Sequence, residues 1–448
     1  MKPAIEFAPV LWSSCLAMLA VGANSTAIMA ALPNMRTDLG LGAAGVEWAV
    51  NAYLVVSAAS IVLGGQAADR FGPRQSSVFG LALFAVASCI IAAAFDQTAL
   101  LVGRALQGLG AAFAVPGTLA AVSTSMAPAR RSGAIGAWAG FLMLGFSIGP
   151  LLGGALTHVT GWRLIFWLNV VLMLAAITGL LSDRSPIPRD SDRQNRRTDW
   201  LGFVLLATLM MSLVFALNGV PHAASAPLSV VGPAIVATIA FILLIIVESR
   251  LEAPLIELGF FARRAFVMGV LIGSLSMFSI MSLLLYYNLY AQSREGLGLT
   301  ALEAGASLLP LSAALLALAL SASAVATRVG LRNAMTGGMA LIAAAGVMIG
   351  LAVSGGGMVL LGVGFLVMGT GLAVPYALAP RLSLSALSAR QAGLGSGIVN
   401  ACTFLGGSIG VAGGGVALAL GGFVAVLGII VLAGLVGAAL SRGISDAP

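Results

Sequence analysis

The chain has 448 residues, of which 60% are hydrophobic and 8% are charged, whereas soluble domains carry about 25% charged residues. Together with a mean hydropathy of +1.06, this composition excludes a soluble globular protein and indicates a polytopic membrane protein. The net charge of +7 is almost all arginine, because Lys2 is the only lysine. The arginines fall in short segments between apolar runs, which is typical of membrane orientation and speaks against a nucleic-acid partner.

About fourteen apolar runs approach the 20 residues that a membrane-spanning helix needs. The first begins near Pro9 and is too long for the apolar part of a signal peptide, so we expect a retained span. The cuts at Gly421-Gly422 and within Ser354 to Gly357 have only glycines to mark them. The predicted spans are 9–33, 47–67, 76–95, 99–122, 133–157, 163–181, 200–219, 229–247, 266–291, 301–325, 334–353, 357–378, 393–418 and 423–441.

With these spans, alternate loops collect the basic residues. One side holds only Arg36, Arg163 and Arg294. The other side holds Lys2, Arg70, Arg74, Arg130, Arg131, the 184–197 cluster, Arg250, Arg263, Arg264, Arg328, Arg332, Arg381, Arg390 and Arg442. The positive-inside rule therefore predicts a multi-pass protein of the cell membrane (plasma or inner membrane) with both termini in the cytoplasm.

The sequence repeats on either side of the polar stretch 182–200, which we interpret as a cytoplasmic linker. "ADRFGPR" after the second run aligns with "ATRVGLR" after the tenth, and "FSIGPLLGG" in the fifth run aligns with "GSIGVAGGG" in the thirteenth. A parallel repeat of this kind places a transport path between two bundles. We predict a six-helix bundle at 1–181, a linker with two inserted spans at 182–265 and a second six-helix bundle at 266–448.

Several motifs together resemble the major facilitator superfamily. "GGQAADRFGPR" is similar to its loop signature, "LVGRALQGLGAA" to the fourth-helix motif of its drug:proton antiporters, and "GFSIGPLLGG" to their antiporter motif. "STAIMAALPNM", "GWRLIFWLNV", "TDWLG" and "ESRLEAPLIELGFFARRAF" resemble further parts of the fourteen-span branch.

The resemblance implies an all-α membrane protein with the major facilitator fold, in which two six-helix bundles and two inserted helices make fourteen transmembrane helices. It also implies multidrug-type efflux of small organic molecules by alternating access, coupled to protons, by a monomer in the lipid bilayer without a cofactor. Two rivals stay open: an uncoupled transporter, or one selective for anions or zwitterions, with the same fold, and a transport-inactive sensor or assembly partner. An enzyme is not expected, because the spans carry no paired carboxylates, metal-spaced histidines or nucleophile constellation. The cysteines Cys15, Cys89 and Cys402 lack metal or disulfide spacing and are interpreted as buried hydrophobic residues.

Two motifs are candidates for conformational change. In the loop motif, Gly72 permits a tight turn and Asp69 can pair with a nearby arginine or a helix N-terminus; by resemblance the loop latches the cytoplasmic side, although it could be only a topogenic charge cluster. In the antiporter motif, the glycines let helices approach closely and Pro150 removes a backbone hydrogen bond; they could serve packing alone. The gating candidates are Gly65, Asp69, Arg70, Gly72 and Arg74, and the antiporter candidates are Gly145, Gly149, Pro150, Gly153 and Gly154.

Three tyrosines are candidates for substrate contact. Tyr286 and Tyr290 are four residues apart and share a helix face. They could belong to an interfacial aromatic belt or to a cavity wall that stacks on a flat or cationic solute. Tyr376, after Pro375, is a weaker cavity candidate, as are Asn51, Tyr53, Asn169 and Asn400.

Arg104 and Gln107 are embedded in the fourth run, where an arginine is costly and needs a partner. The acidic residues all fall at predicted span ends or in loops. The family's first-helix signature has an aspartate where this chain has Asn24, and an amide cannot titrate, which puts proton coupling in doubt. Three interpretations stay open. Arg104 is satisfied by carbonyls, Asn24, Gln107 and water; or it binds an anionic or zwitterionic substrate; or Glu47 or Asp38, at the outer span ends, supplies the charge and the proton.

Overall fold

The computed structural model describes residues 9–182, 199–223, 225–251, 256–388 and 391–444, and these residues are nearly all helical. Two short 3₁₀ helices, Val220–His222 and Leu258–Ala262, and a π turn, Ala352–Gly356, lie between the α-helices. The α-helices are α1 Pro9–Asp38, α2 Ala43–Phe71, α3 Pro73–Ala92, α4 Gln97–Ser125, α5 Pro128–Thr160, α6 Arg163–Ser182, α7 Trp200–Gly219, α8 Leu228–Glu248, α9 Arg264–Gln292, α10 Ala301–Ser307, α11 Leu309–Val329, α12 Leu331–Leu351, α13 Gly357–Ser385 and α14 Ala392–Ser441.

Within the described residues, eleven helical stretches are long and apolar enough to cross a membrane, or twelve when α10 and α11, bent by 40°, count as one span. Two of the eleven, 331–385 and 393–441, have 55 and 49 residues, and about 20 residues suffice for one crossing. Dividing each at its glycine break raises the count to fourteen. The all-α fold predicted from the apolar runs is therefore confirmed, with helix ends that extend a few residues beyond the predicted spans.

The first break lies between α12 and α13, where Gly355 has φ of +123°, a conformation that glycine adopts without steric cost. The chain then folds back on itself. Gly338 of α12 packs against Pro375 of α13, and Gly364 of α13 packs against Ile349 of α12. From one contact to the next, the residue number increases in α12 and decreases in α13. The two helices are therefore antiparallel, and the segment "SGGG" between them is a turn.

The second break divides α14 at Gly421 and Gly422, whose backbone angles are not helical. The first part of α14 runs parallel to α9, and the second part runs antiparallel to α12. Since α13 runs antiparallel to both α9 and α12, the two parts of α14 point in opposite directions. The first part of α14 meets α9 through Gly406 with Ser274 and Gly410 with Phe278, and the second part meets α12 through Gly434 with Ala343 and Gly346 with Val431. The contacts between α9 and α13 are Gly269 with Ser383 and Tyr287 with Phe365.

The sequence repeat appears as repeated packing. In the first half, Gly145 and Gly149 of α5 press against the backbone of α1 at Leu19 and Ala23. In the second half, the aligned glycines Gly406 and Gly410 press against α9 in the same way. Small residues at this spacing let helix backbones approach, and close van der Waals packing is what associates helices in lipid.

The two halves meet along α2 and the first part of α14. Ser408 donates a hydrogen bond to the Asn51 side-chain oxygen at 2.8 Å, Gly407 lies against Leu54, and Gly397 lies against Val62. The inserted helix α7 covers this seam, because its buried Leu206, Met210 and Val214 belong to one apolar cluster with residues of α2 and α14. α8 packs on α7 and exposes long apolar side chains such as Ile239 and Phe241, as a lipid-facing helix does.

The helix ends form two faces, which we name by their arginine content. The arginine-rich face carries Arg70, Arg74, Arg130, Arg131, Arg250, Arg263, Arg264, Arg328, Arg332, Arg381 and Arg442, and the arginine-poor face carries Arg36, Arg163 and Arg294. Lys2, the 184–197 cluster and Arg390 lie outside the described residues. The boundary of the predicted linker at 182–265 also falls partly outside them, and the three-part division stays a prediction.

Candidate functional site

Arg104 is held by the first two turns of α4. Asp96 caps that helix, since its Oδ1 accepts a hydrogen bond from the Ala99 amide at 2.7 Å, which satisfies a backbone donor at the helix start. Arg104 follows seven residues into α4 and is 1% exposed. The local sequence therefore carries the arginine below the arginine-poor face and into the interior.

The Arg104 guanidinium is bound by oxygen dipoles and an aromatic face. Its Nε donates to the carbonyl oxygen of Ala49 at 2.7 Å, and its Nη1 donates to Gln107 Oε1 at 2.7 Å. Its Cζ lies 4.6 Å from the centre of the Tyr53 ring, a desolvated cation–π contact. Gln107 is itself held, because its Nε2 donates to Ser88 Oγ at 2.8 Å. This arrangement contains the carbonyl and the Gln107 contact of the first interpretation from sequence, without Asn24, and adds the Tyr53 ring.

The expectation that Asn24 lies beside Arg104 is wrong. Asn24 points to α6, where its Oδ1 accepts a hydrogen bond from Asn169 Nδ2 at 2.8 Å. The face of α1 that carries Asn24 packs between α5 and α6, whereas Arg104 faces α2. One side chain cannot serve both neighbours, so Asn24 belongs to a separate site.

Aromatic side chains surround the seam between the halves near Arg104. Tyr53 accepts a hydrogen bond from Ser25 Oγ at 3.5 Å. Tyr376 on α13 lies 6.2 Å, ring centre to ring centre, from Phe146 on α5. Helices of both halves thus contribute to this central cluster, which we define as Ser25, Tyr53, Phe146 and Tyr376.

Glu47 lies in the first two turns of α2 and is half-buried, between elements of both halves and the insert. Its carboxyl lies against the Gly415 backbone of α14, with no room for a side chain there, and Tyr286 of α9 packs against the neighbouring Gly414. From α7, Asn218 Nδ2 donates to Glu47 Oε2 at 2.9 Å, while Asn218 Oδ1 accepts from Trp48 Nε1 at 3.1 Å. Those two partners fix the orientation of the amide. The expectation that Glu47 lies only at an outer helix end is incomplete, because it reaches across the interface.

Other acids of the arginine-poor face have local structural roles. Asp38 accepts hydrogen bonds from Arg163 and Trp162, so it does not reach Arg104. Glu303 forms a capping box with Thr300 at the start of α10. On the opposite, arginine-rich face, Glu248, assigned from sequence to a loop region, is 3% exposed at the end of α8 and accepts from the Ile256 amide at 3.1 Å.

Comparison with protein families decides the identity of this fold. The model of the Major Facilitator Superfamily matches residues 14–411, from the first helix through the insert to the first part of α14. The chain belongs to the major facilitator superfamily.

Curated relatives of this major facilitator include resistance proteins. The tetracenomycin C resistance and export protein of Streptomyces glaucescens is 31% identical over 92% of this chain and 76% of its own length. The lincomycin resistance protein of Streptomyces lincolnensis is 28% identical over 88% of this chain and 81% of its own. A crystal structure of an auto-inhibited peptide transporter of the POT family superposes with a TM-score of 0.69 at 15% identity, covering 98% of this chain and 97% of that one. That structural likeness concerns the fold.

The loop motif of this major facilitator contains the turn that the sequence predicts. Gly72 joins α2 to α3 with φ of +100°, and its repeat counterpart Gly330 joins α11 to α12 with φ of +86°. Asp69 and Arg70 are exposed at the end of α2, Arg74 is half-buried in α3, and Gly65 lies one turn earlier with open space around it. The roles of these residues in gating stay predictions.

The glycines of the antiporter motif bind α5 closely to its neighbours. Gly145, Gly149 and Gly153 meet α1, whereas Gly154 meets the backbone of Ala301 in α10. Pro150 has no amide hydrogen, so the carbonyl oxygen of Phe146 loses its usual helical donor. Thr26 Oγ1 of α1 supplies the missing hydrogen bond at 3.0 Å.

Tyr286 and Tyr290 do not form one wall. Tyr286 is 1% exposed, too buried for an interfacial belt, and donates to the Val411 carbonyl oxygen at 2.5 Å. Tyr290 stacks on Phe423 with ring centres 4.9 Å apart. Asn218 is not recognisable from sequence, because a polar residue at the end of a span is usually an ordinary interfacial residue and carries no signal of its contact.

Proposed function

We propose that this protein exports small organic molecules from the cytoplasm by alternating access between its two halves, driven by a proton gradient. Membership of the superfamily and two relatives named for antibiotic resistance support export of this kind. The antiporter-like motif, which holds α1, α5 and α10 together, supports the outward direction. The observation that carries proton coupling is the position of Glu47 between both halves and the insert.

The contacts between the halves support a conformation closed at the arginine-poor face. Gln292 Nε2 of α9 donates to the Ala30 carbonyl oxygen of α1 at 2.9 Å, and Gly154 meets Ala301. The positive-inside rule assigns this face to the outside and the arginine-rich face to the cytoplasm. Reporter fusions after residues 190 and 260 should therefore both report cytoplasm, and an external signal from either would overturn this orientation.

Partial burial of Glu47 favours its protonated form when the face is closed. Its Oε1 lies against the Gly415 backbone between α2 and α14, where a negative charge is poorly solvated. The Tyr286 hydroxyl donates to the Val411 carbonyl oxygen and so does not neutralise a carboxylate there. Asn218 donates to the other Glu47 oxygen, Oε2.

Loss of the proton from Glu47 leaves a half-buried negative charge between α2 and α14. Arg104 does not relieve the charge, since it faces Ala49 and Tyr53. The carboxylate is better solvated in water, so deprotonation favours separation of α2 from α14 at this face. Protonation from the outside therefore closes the arginine-poor face.

The central cluster is the proposed place of substrate contact. Tyr53, Phe146 and Tyr376 come from helices of both halves, so relative movement of the halves changes the space between them. Their rings favour a solute with a flat apolar part. Two of the three guanidinium nitrogens of Arg104 donate within the protein, to Ala49 and Gln107.

Flux in proteoliposomes tests the proposal with three fluorescent probes: ethidium as the cation, Nile red as the neutral solute and carboxyfluorescein as the anion. We expect an imposed pH gradient to accelerate transport of ethidium or Nile red, and Glu47→Gln to remove that acceleration while flux without a gradient continues. Glu303→Gln is the matched control, because Glu303 is an exposed acid on the same face. Absence of flux for all probes would support a transport-inactive protein, and wild-type flux that ignores the gradient would contradict proton coupling.

A further inference from the structure

A cleft in the first half opens sideways from the bundle, away from the central cluster. Its floor is α1, where Ala20, Ala23 and Asn24 are buried, and its walls are α5 and α6, where Leu152 and Leu168 are only half-buried. The cleft is shallow and open on one side, with about 50 Å³ of accessible space, which is room for the end of a ligand such as a carbonyl group but not for a whole drug-sized molecule. Because the outer face of α6 exposes large apolar side chains such as Trp167 and Val171, the cleft opens toward lipid.

Asn24 brings an unused hydrogen-bond donor to this cleft. The side chain is 1% exposed, and its oxygen is taken by Asn169. Its Nδ2 has no hydrogen-bond partner in the part of the chain that the structure describes. A buried donor without a partner costs about 1–3 kcal/mol, so an acceptor that enters the cleft gains that energy back.

The second half shows that the scaffold does not require this amide pair. The contact of Gly145 with Leu19 repeats as the contact of Gly406 with Ser274, so the repeat aligns Asn24 with Ser279. Gly161 aligns with Gly422, and both have positive φ, so Asn169 aligns with Ile430. The Ser279 hydroxyl donates to its own helix, to the Leu275 carbonyl oxygen at 2.8 Å, and Ile430 is fully buried. The same helix packing is thus made with a self-satisfied serine and an apolar residue.

The depth of Asn24 decides which ligand can reach it. It is the sixteenth of the 30 residues of α1, about 21 Å from either end at about 1.5 Å per residue. That is the middle of a hydrocarbon core about 30 Å thick, whereas lipid ester carbonyls lie at the edges of that core. A lipid ester therefore cannot reach the amide, but an uncharged solute dissolved in the hydrocarbon can.

We infer that the cleft between α1, α5 and α6 binds uncharged lipophilic molecules that carry a carbonyl or similar acceptor, which accepts a hydrogen bond from Asn24 Nδ2. The rest of the described lining is apolar apart from Asn169, so a charged ligand is disfavoured there. The site is distinct from the central cluster, and binding to it does not require that the protein transports anything.

The test uses purified full-length protein in lipid nanodiscs with benzophenone, a lipophilic ketone that cross-links to nearby C–H bonds under light. Cross-links are mapped by mass spectrometry. We expect saturable labelling of the α1, α5 and α6 residues that line the cleft. Dicyclohexyl ketone should compete with it about tenfold better than dicyclohexylmethane, which has the same shape but no acceptor, because one hydrogen bond to a buried donor is worth about a factor of ten.

Three variants test separately how the hydrogen bond and the shape of the cleft affect binding. Asn24→Leu should weaken saturable labelling about tenfold and abolish the preference for the ketone, whereas the matched variant Ser279→Ala should change neither. Leu152→Trp, which fills the cleft from a half-buried wall and keeps Asn24, should also reduce labelling and serves if Asn24→Leu does not fold. Equal competition by the two competitors, or unchanged labelling in Asn24→Leu, would overturn the proposal. Neither result would bear on flux through the central path.

Discussion

Replacing Arg104 and Gln107 by leucine, singly and together, measures how much the buried guanidinium depends on its neighbour. Arg104→Leu removes two hydrogen bonds and the contact with the Tyr53 ring, and leaves Gln107 Oε1 without its donor. The Ala49 carbonyl oxygen keeps its hydrogen bond within α2, so Gln107 Oε1 is the one buried acceptor left without a donor. Arg104→Leu also removes the free-energy cost of burying a charged guanidinium. We expect a net loss of about 1–3 kcal/mol in the free energy of unfolding.

Gln107→Leu leaves a buried cation with one partner fewer, which costs about 1.5–3 kcal/mol because the hydrogen bond involves a charged group. In the double variant both partners of the hydrogen bond between Arg104 and Gln107 are absent, so neither is left buried without the other. The double variant should therefore cost little more than one single variant, with a coupling energy of about 1.5–3 kcal/mol.

Reversible unfolding in mixed detergent micelles, followed by circular dichroism, gives the three free energies. Arg163→Leu is the control. Its ion pair with Asp38 is exposed by 41% and 45%, and such pairs are worth about 0–1 kcal/mol. Additive effects of the two leucine substitutions, with coupling below about 0.5 kcal/mol, would refute the view that Gln107 stabilises the Arg104 charge.

Three further predictions concern the other motifs. Thr26→Val keeps the side-chain shape but leaves the Phe146 carbonyl without the donor that replaces the Pro150 amide, so unfolding should become easier by about 1–3 kcal/mol in the same assay. Gly145→Ala should strongly reduce the yield of monodisperse protein in size-exclusion chromatography, because its Cβ would lie 2.1 Å from the Leu19 oxygen, whereas Gly140→Ala, with open space, should not. Asp69→Asn should slow transport in proteoliposomes and leave solute binding nearly intact, since it removes a charge that holds one conformation; loss of binding with unchanged conformational exchange would show that Asp69 has another role.

Local chemistry made much of the fold predictable. A run of about 20 apolar residues has one stable arrangement in lipid, a helix that satisfies its own backbone, so run length located the spans. Gly72 predicted its turn, because few other residues adopt a positive φ. The glycines of the antiporter motif, such as Gly149, predicted a close helix contact, since close approach of helices needs small residues, and the aligned Gly410 makes the same kind of contact in the second half.

The partners of polar residues were decided by tertiary structure. Backbone carbonyls look alike in every sequence, so nothing marked Ala49 as the acceptor for Arg104. The face of α1 that carries Asn24 was turned toward α6 by the packing of α5, which separated it from Arg104. Glu47 and Asn218 are far apart in sequence, and they meet only because α7 covers the seam between α2 and α14. The sequence by itself thus determined which residues are buried in the membrane and how often the chain crosses it, while the packing of the helices decided which buried polar groups meet, because a hydrogen bond depends on a geometry that no local pattern records.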